Sequence, residues 1–163
     1  MSRYKQATAA DIMTSSLVCA RPDQDLRSVE DMLISSRIGG VPVVERDKLV
    51  GVISRSDITR VEVLMRSLDG AVSDAVAYSE AESDGFQHSQ QPEFGGFRQR
   101  LFQLKAKDAM RDQVVTCRPE TSVVDIAQAM VKQHIHRVIV VDGDKPVGIV
   151  SSLDIVRMVS ESD

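Results

Sequence analysis

The sequence lacks tryptophan and is poor in aromatic residues of any kind. Aromatic residues make up 4 % of its 163 residues, whereas hydrophobic residues make up 42 %. A hydrophobic core of this composition must be aliphatic, built from Val, Ile, Leu and Met. The length is sufficient for such a core in one domain or two very small ones.

Further absences narrow the classes of protein to consider. Cys19 and Cys117 belong to no CxxC motif and lack zinc-finger spacing to other ligands, so we expect buried or half-buried thiols in a reducing cytoplasm, with a disulfide as the open alternative. No apolar run approaches the ~20 residues of a membrane helix, and residues 1–10 contain no signal-peptide stretch. The net charge of −4 disfavours nucleic acid as a partner. These features predict a soluble cytoplasmic protein with no membrane partner.

An internal repeat organises most of the chain. When the sequence is shifted by 97 positions, residues 11–60 align without a gap on residues 108–157, and 17 of the 50 pairs are identical. An ungapped match of this length indicates the duplication of one structural unit. We assign residues 11–68 to copy one and residues 107–163 to copy two.

Each copy has the pattern of a strand, a helix, two strands and a second helix. Short extended runs end before Pro22 and Pro119, and apolar residues at helical spacing follow. Two β-branched runs separated by four polar residues then predict a hairpin, which a second helix follows. We expect an α/β (α+β) fold of two pseudo-symmetric βαββα repeats packed sheet to sheet, because one unit of about fifty residues buries its own sheet poorly.

The remaining segments lie outside the two copies. Residues 1–10 are expected to form an N-terminal tail, and residues 69–106 a helix extension followed by an insert. The stretch 78–97 contains no Lys or Arg and little periodicity, which predicts a mobile acidic loop. We expect the helix before it to reach about Ala77 and a short helical piece at 98–104 to lead into copy two.

One motif in each copy has the chemistry of a binding site. Gly51–Asp57 and Gly148–Asp154 share the order Gly, two aliphatic residues, Ser, two variable residues and Asp. A strand ends and a helix begins there, and the helix start attracts phosphate through unpaired N–H groups and its dipole. The Ser hydroxyl adds a donor, and the Asp carboxylate suits a pair of sugar hydroxyls, so a nucleotide is the ligand that uses both. The alternative is a helix-capping box without any ligand.

The complete pattern resembles the CBS domain, named after cystathionine β-synthase. The resemblance rests on Pro22 and Pro119, on the hairpin segments 40–44 and 137–141, and on the two Gly-Ser-Asp motifs. It implies a regulatory module, not an enzyme, whose clefts bind AMP, ADP, ATP or S-adenosylmethionine and which requires no cofactor or metal. It also implies a homodimer, and we expect an effector protein as a further partner.

The same resemblance implies roles for individual residues. The Asp of each motif would hold ribose hydroxyls, and the Ser would face the phosphates. Segments 37–41 and 134–138 would contact phosphate or base, and segments 18–20 and 115–117 the base. The candidate ligand-binding residues are therefore Val18, Arg37, Gly39, Val41, Ser54 and Asp57 in copy one, and Thr116, His136, Arg137, Ser151 and Asp154 in copy two.

The two copies differ where phosphate is expected. Copy two has His136 and Arg137 before its hairpin, whereas copy one has Gly39 and Gly40 at these positions. We therefore expect the copy-two site to be the better one for a phosphorylated ligand. The sequence shows no nucleophile triad, metal triad, P-loop or GxGxxG motif. The hypotheses are an adenosyl-ligand sensor, a structural dimerisation module with empty clefts, and, least favoured, an enzyme fragment or metal-binding protein.

Overall fold

The computed structural model describes the backbone of residues 6–80, 101 and 103–161, and their side chains except those of 69–80. The described chain forms two compact units. The sheet unit contains residues 6–22, 41–52 and 111–161, and the helical unit contains residues 23–40, 53–80, 101 and 103–110. From residue 81 onward, the predicted acidic loop lies outside the described residues. Most of the predicted helical piece at 98–104 lies outside them too.

The elements follow the predicted order in both copies, which confirms the mixed α/β fold class. One-turn helices that the periodicity did not predict precede each copy. The opening run of copy one forms only an isolated parallel bridge between Ala20 and Val43, whereas that of copy two forms a short strand. The elements are α1 Ala9–Ile12, α2 Leu26–Ser35, β1 Gly40–Glu45, β2 Lys48–Ser54, α3 Arg55–Glu80, α4 Ala106–Ala109, β3 Thr116–Cys117, α5 Val123–Gln133, β4 Arg137–Asp142, β5 Lys145–Ser151 and α6 Ser152–Ser160.

The sheet unit contains the hairpin β1–β2 and the three-stranded sheet β3–β4–β5. Strand β3 runs parallel to β4, and β4 runs antiparallel to β5. The side chains of Val138, Val140 and Val150 pack with those of Ala9 and Ile126 in an aliphatic core. This core covers one face of the sheet with α1 and α5. On the opposite face Ile139 is also buried, at 3 % exposed.

The helix before each hairpin has a side-chain cap at its start. Ser122 is the N-cap of α5: its hydroxyl accepts from the Asp125 N–H at 3.1 Å and donates to the Asp125 carboxylate at 2.7 Å. In the helical unit, Asp25 is the N-cap of α2. The two helices end alike, because Arg37 and His134, which the repeat aligns, both have a φ of 53°. A left-handed residue at this point ends a helix.

The Asp25 cap predicts a pH-dependent contribution to stability. Its carboxylate accepts from the Ser28 N–H at 2.8 Å and from the Ser28 hydroxyl at 2.9 Å, and these bonds lower the pKa of Asp25 from its ordinary value of 3.8. Because the folded pKa is the lower one, the cap stabilises the fold above the unfolded pKa and loses this effect as the pH falls through the folded pKa. We expect Asp25→Ala to cost about 1 kcal/mol at pH 7. In urea unfolding at a series of pH values, a cost that does not shrink in acid would contradict the prediction.

The turn between β1 and β2 contains residues with an unfavourable backbone conformation. Arg46 and Asp47 have φ values of 50° and 64°, and at the position of Arg46 copy two has Gly143, with φ 61°. An L-residue is strained in this region, and glycine is not. We expect Arg46→Gly to raise the free energy of unfolding by about 0.5 kcal/mol, the relief of strain less the entropy that glycine adds to the unfolded chain. Arg46→Ala retains the Cβ and should give no gain in the same urea titration; a gain from both would contradict this explanation.

Candidate functional site

The register of the sheet brings three copy-two candidates to one face. Thr116 on β3 lies opposite Ile139 on β4, and Arg137 on β4 lies opposite Ser151 on β5. Directly opposed residues share a face of a sheet, as do residues two apart in a strand. Thr116, Arg137 and Ser151 are therefore on the same side, opposite the side of Val138 that packs against the helices.

The helix after β5 adds Asp154 to this group. Ser151 is the N-cap of α6, and its N–H and hydroxyl donate to Oδ2 of Asp154 at 2.8 Å and 2.6 Å. The capping box that the sequence offers as an alternative is therefore formed. The other carboxylate oxygen, Oδ1, lies 3.7 Å from Nη1 of Arg157, which is beyond hydrogen-bond distance. Oδ1 thus retains the capacity to accept hydrogen bonds from a ligand.

The two cationic candidates lie beside the start of the same helix. The backbone carbonyl of His136 accepts from the Ser152 N–H at 3.0 Å, which ties the segment before β4 to the first turn of α6. The side chains of His136 and Arg137 are both exposed. An anion at the helix start would therefore meet a positive dipole and nearby positive charge.

The copy-one candidates are divided between the two units. Val18 and Val41 belong to the sheet unit, and the side chain of Val41 is 1 % exposed. Val41 could therefore meet a ligand only through its backbone, whereas Val18 is exposed. The other four candidates, Arg37, Gly39, Ser54 and Asp57, belong to the helical unit.

Within the helical unit, the copy-one motif forms the same local bonds with less access to solvent. The Ser54 N–H donates to Oδ2 of Asp57 at 3.0 Å, and Oδ1 of Asp57 lies 3.3 Å from Nη1 of Arg60. The Arg55 N–H donates to the carbonyl of Gly39 at 3.1 Å. The side chain of Asp57 is 2 % exposed, against 16 % for Asp154. The two motifs are alike in sequence and differ in accessibility.

Sequence analysis did not assign Arg60 and Arg157 to the sites. Each follows its motif Asp by three residues and is held beside that carboxylate. The signal was present, because residues three apart on a helix are neighbours and the Asp-x-x-Arg spacing occurs in both copies.

The other sequence expectations concern cysteines, metals and membranes. Cys19 and Cys117 are both free thiols, and burial raises the pKa of each, so both stay largely protonated at neutral pH. Within residues 6–80, 101 and 103–161, no group of three or more His, Cys, Asp or Glu residues could hold a metal ion. In the same ranges, no helix has the length and hydrophobicity to cross a membrane.

The family and its relatives are consistent with this geometry. The model of the CBS domain matches residues 9–63 and 106–161, and the chain belongs to the CBS domain family. The uncharacterised protein MJ1426 of Methanocaldococcus jannaschii is 31 % identical over 150 residues, which are 90 % of this chain and 88 % of that protein. The uncharacterised protein MJ1232 of the same organism is 26 % identical over 161 residues. The match covers 98 % of this chain but only 42 % of the length of that relative.

Solved structures of CBS domains have the same fold. The CBS domain of a CBS domain-containing membrane protein from Sphaerobacter thermophilus is 32 % identical with a TM-score of 0.70, covering 95 % of this chain and 89 % of that one. The CBS domain pair of MJ0100, in complex with 5′-methylthioadenosine and S-adenosyl-L-methionine, is 23 % identical with a TM-score of 0.65, covering 96 % and 98 %. CBSX2 in complex with AMP is 21 % identical with a TM-score of 0.64, covering 92 % and 93 %. At identities of 23 % and 21 %, the similarity to MJ0100 and CBSX2 shows a shared fold and nothing more.

Proposed function

We propose that this chain is a regulatory module that binds an adenosine-containing ligand at the copy-two site and communicates its occupancy to an effector protein. The candidate ligands are AMP, ADP, ATP and S-adenosylmethionine. Membership of the CBS family supports this proposal, as do the two relatives of the same fold that hold AMP or S-adenosyl-L-methionine with 5′-methylthioadenosine. As a binding module, the chain requires no catalytic residue.

The observation that carries the proposal is the convergence of Thr116, Arg137 and Ser151 on one face of the sheet, beside Asp154 at the start of α6. Oδ1 of Asp154 would accept the hydroxyls of a ribose. The phosphate would lie at the helix start, where the N–H groups and the dipole favour an anion, with the Arg137 guanidinium as its positive partner and the His136 side chain as a further polar contact. Thr116 would contact the base.

The ligand requires a change in the hydrogen bond of Ser151. A hydroxyl has one proton to donate, and the Ser151 hydroxyl donates it to Asp154. To donate to a phosphate, the hydroxyl must rotate, while the Ser151 N–H continues to hold the carboxylate. The backbone hydrogen bond between Ser151 and Asp154 can therefore remain while the hydroxyl binds a ligand.

Calorimetric titration with AMP, ADP, ATP and S-adenosylmethionine tests the proposal. We expect saturable binding of at least one of the four, and its loss in Asp154→Ala. Asp125→Ala is the matched control, because Asp125 accepts a hydrogen bond from the N-cap Ser122 at the same spacing but lies at a different helix start. It should lose the hydrogen bond from the Ser122 hydroxyl and retain the ligand. No binding of any of the four by the folded protein would refute the proposal.

A structural module with empty clefts is the competing function. The capping box at Ser151 and the hydrogen bond from the Ser54 N–H to Asp57 favour it, because they give both motifs a structural role without a ligand. Under that function, Asp154→Ala and Asp125→Ala would each lower the free energy of unfolding by a similar amount, and neither the native chain nor the variants would bind any of the four ligands.

We further propose that the module forms a homodimer through exposed apolar helix surfaces. Helix α3 exposes Val63, Leu64 and Leu68, and beside them lies an open groove of about 630 Å³ on the same helix. Separately, α6 exposes Leu153, Val156 and Val159. Apolar clusters of this kind mark association surfaces. Light scattering after size-exclusion chromatography should give twice the chain mass for the native protein and the single mass for Leu64→Glu; a native monomer would rule the dimer out.

A further inference from the structure

The opening residues of copy one, with those just before them, pair with copy two. The Thr14 N–H donates to the carbonyl of Ile149 at 2.9 Å, and the Ile149 N–H donates to the carbonyl of Thr14 at 3.1 Å. Further back, the Val123 N–H donates to the carbonyl of Ala7 at 2.9 Å, and the Ala9 N–H donates to that of Thr121 at 2.8 Å. Residues 7–14, here called the strap, therefore add to β5 and to the start of α5, both of which belong to copy two.

Side-chain packing also holds the strap against copy two. Ala9 is fully buried in the core with Ile126 and Met130. A Cβ at Gly148 would lie 2.3 Å from Sδ of Met13 and 2.9 Å from its Cγ, so the Met13 side chain occupies the space that any larger residue at 148 would need. Gly148 is thus a point of close approach between the strap and β5.

The reciprocal pairing exists in the same unit. The Arg111 N–H donates to the carbonyl of Val52, and the Val52 N–H donates to the carbonyl of Arg111, both at 2.9 Å. Arg111 and Val52 are the residues that the 97-position shift aligns with Thr14 and Ile149. The opening segment of each copy therefore pairs with the last strand of the other copy, and the exchange is a property of the repeat.

We propose that the strap is a positioning element of the copy-two ligand site. Ile149 lies two residues before Ser151 and on the same face of β5, so the pairing with Thr14 fixes the strand directly before the helix start that holds Asp154. The strap need not touch the ligand. If β5 is held less firmly, the fraction of molecules with the site correctly formed falls, and the apparent affinity falls in proportion. This inference rests on the proposed function, and its test separates the two.

Two proline substitutions form a matched pair. Met13 has φ −66° and ψ 146°, and Met110, which precedes Arg111, has φ −65° and ψ 160°. Both are the extended conformation that a residue adopts before proline. Thr14→Pro therefore removes one backbone donor to copy two, and Arg111→Pro removes the equivalent donor to copy one.

Titration with AMP at the copy-two site, identified by its loss in Asp154→Ala, gives the first readout. We expect Thr14→Pro to weaken this binding at least tenfold and Arg111→Pro to change it less than twofold. Equal effects of the two substitutions would show a general loss of stability and overturn the proposal, as would the absence of an effect of Thr14→Pro.

Hydrogen exchange of the ligand-free protein gives a readout that does not depend on any ligand. The amides of residues 151–156 should exchange faster in Thr14→Pro than in the native chain, and at the native rate in Arg111→Pro. If the native protein binds no adenosyl ligand, the proposed function fails, and this measurement still decides whether the strap positions the helix start. Unchanged exchange in Thr14→Pro would overturn the positioning role.

The contact between Met13 and Gly148 allows a rescue experiment. Gly148→Ala places a Cβ against the Met13 side chain and should weaken AMP binding by displacing the strap. The double substitution Met13→Ala with Gly148→Ala removes the obstructing atoms and should restore at least part of the lost affinity. A double variant that binds no better than Gly148→Ala alone would show that this contact does not act through the strap.

Discussion

Arg137→Gln should lower the affinity of the copy-two site for AMP by about 10- to 100-fold, corresponding to the 1.5–3 kcal/mol of a hydrogen bond to a charged group. Arg137 lies opposite Ser151 in the register of β4 and β5, so its guanidinium is available to a phosphate at the start of α6. S-Adenosylmethionine has no phosphate, and its binding should change less than twofold. Parallel titrations of the variant with both ligands measure the difference.

Arg118→Gln is the control for the loss of one positive charge. Arg118 is exposed and lies 4.0 Å from the carboxylate of Glu120, away from the start of α6. The substitution Arg118→Gln should leave the affinity for AMP unchanged, apart from a small long-range electrostatic effect that salt screens. If Arg118→Gln weakens AMP as much as Arg137→Gln does, the net charge of the surface attracts the phosphate, and Arg137 has no specific role.

Ile126→Ala should lower the free energy of unfolding by about 2–5 kcal/mol. Ile126 on α5 is 1 % exposed and packs with Val138, Val140 and Val150 beneath the three-stranded sheet. Truncation removes apolar surface from the core and leaves a cavity that close-packed neighbours fill only in part. Urea unfolding of the native and substituted chains measures the loss.

The same helix provides a matched control. Val131 on α5 is 76 % exposed, and Val131→Ala should change the free energy of unfolding by no more than about 0.5 kcal/mol. A large cost for Val131→Ala would indicate that another chain covers this surface in solution. A small cost for Ile126→Ala would show that this core does not carry the stability of the sheet unit.

The helices and hairpins were predictable because they depend on local signals. The apolar spacing on α2 and α5 places Leu33 and Met130 on the buried faces, and the polar turns locate the hairpins. The one-turn helices α1 and α4 carry too few residues for a periodic signal. The pairing of Thr14 with Ile149 was also missed, because it joins residues far apart in sequence and leaves no local pattern.

The sequence named candidate residues for the site but not their environment. The repeated motif, together with the family resemblance, singled out Ser151 and Asp154 as candidates, and the aligned position of Arg137 indicated the copy with more basic residues before its hairpin. The motif could not predict the difference in exposure between Asp57 and Asp154, because both copies have the same Gly, Ser and Asp pattern. Burial of a given side chain depends on tertiary packing around it, which one sequence without its fold does not specify.

The exchanged segments make each copy incomplete as a separate polypeptide. The aliphatic core beneath β4 contains Ala9, and the backbone of Gln24 accepts a bond from Ala106 in the helical unit. A chain cut between residues 81 and 100 would give two fragments, each containing a segment that the other needs. Neither fragment should fold alone, but mixing them should restore the fold by complementation. Stability would then depend on fragment concentration, because the tether that keeps the halves at a high effective concentration has been removed.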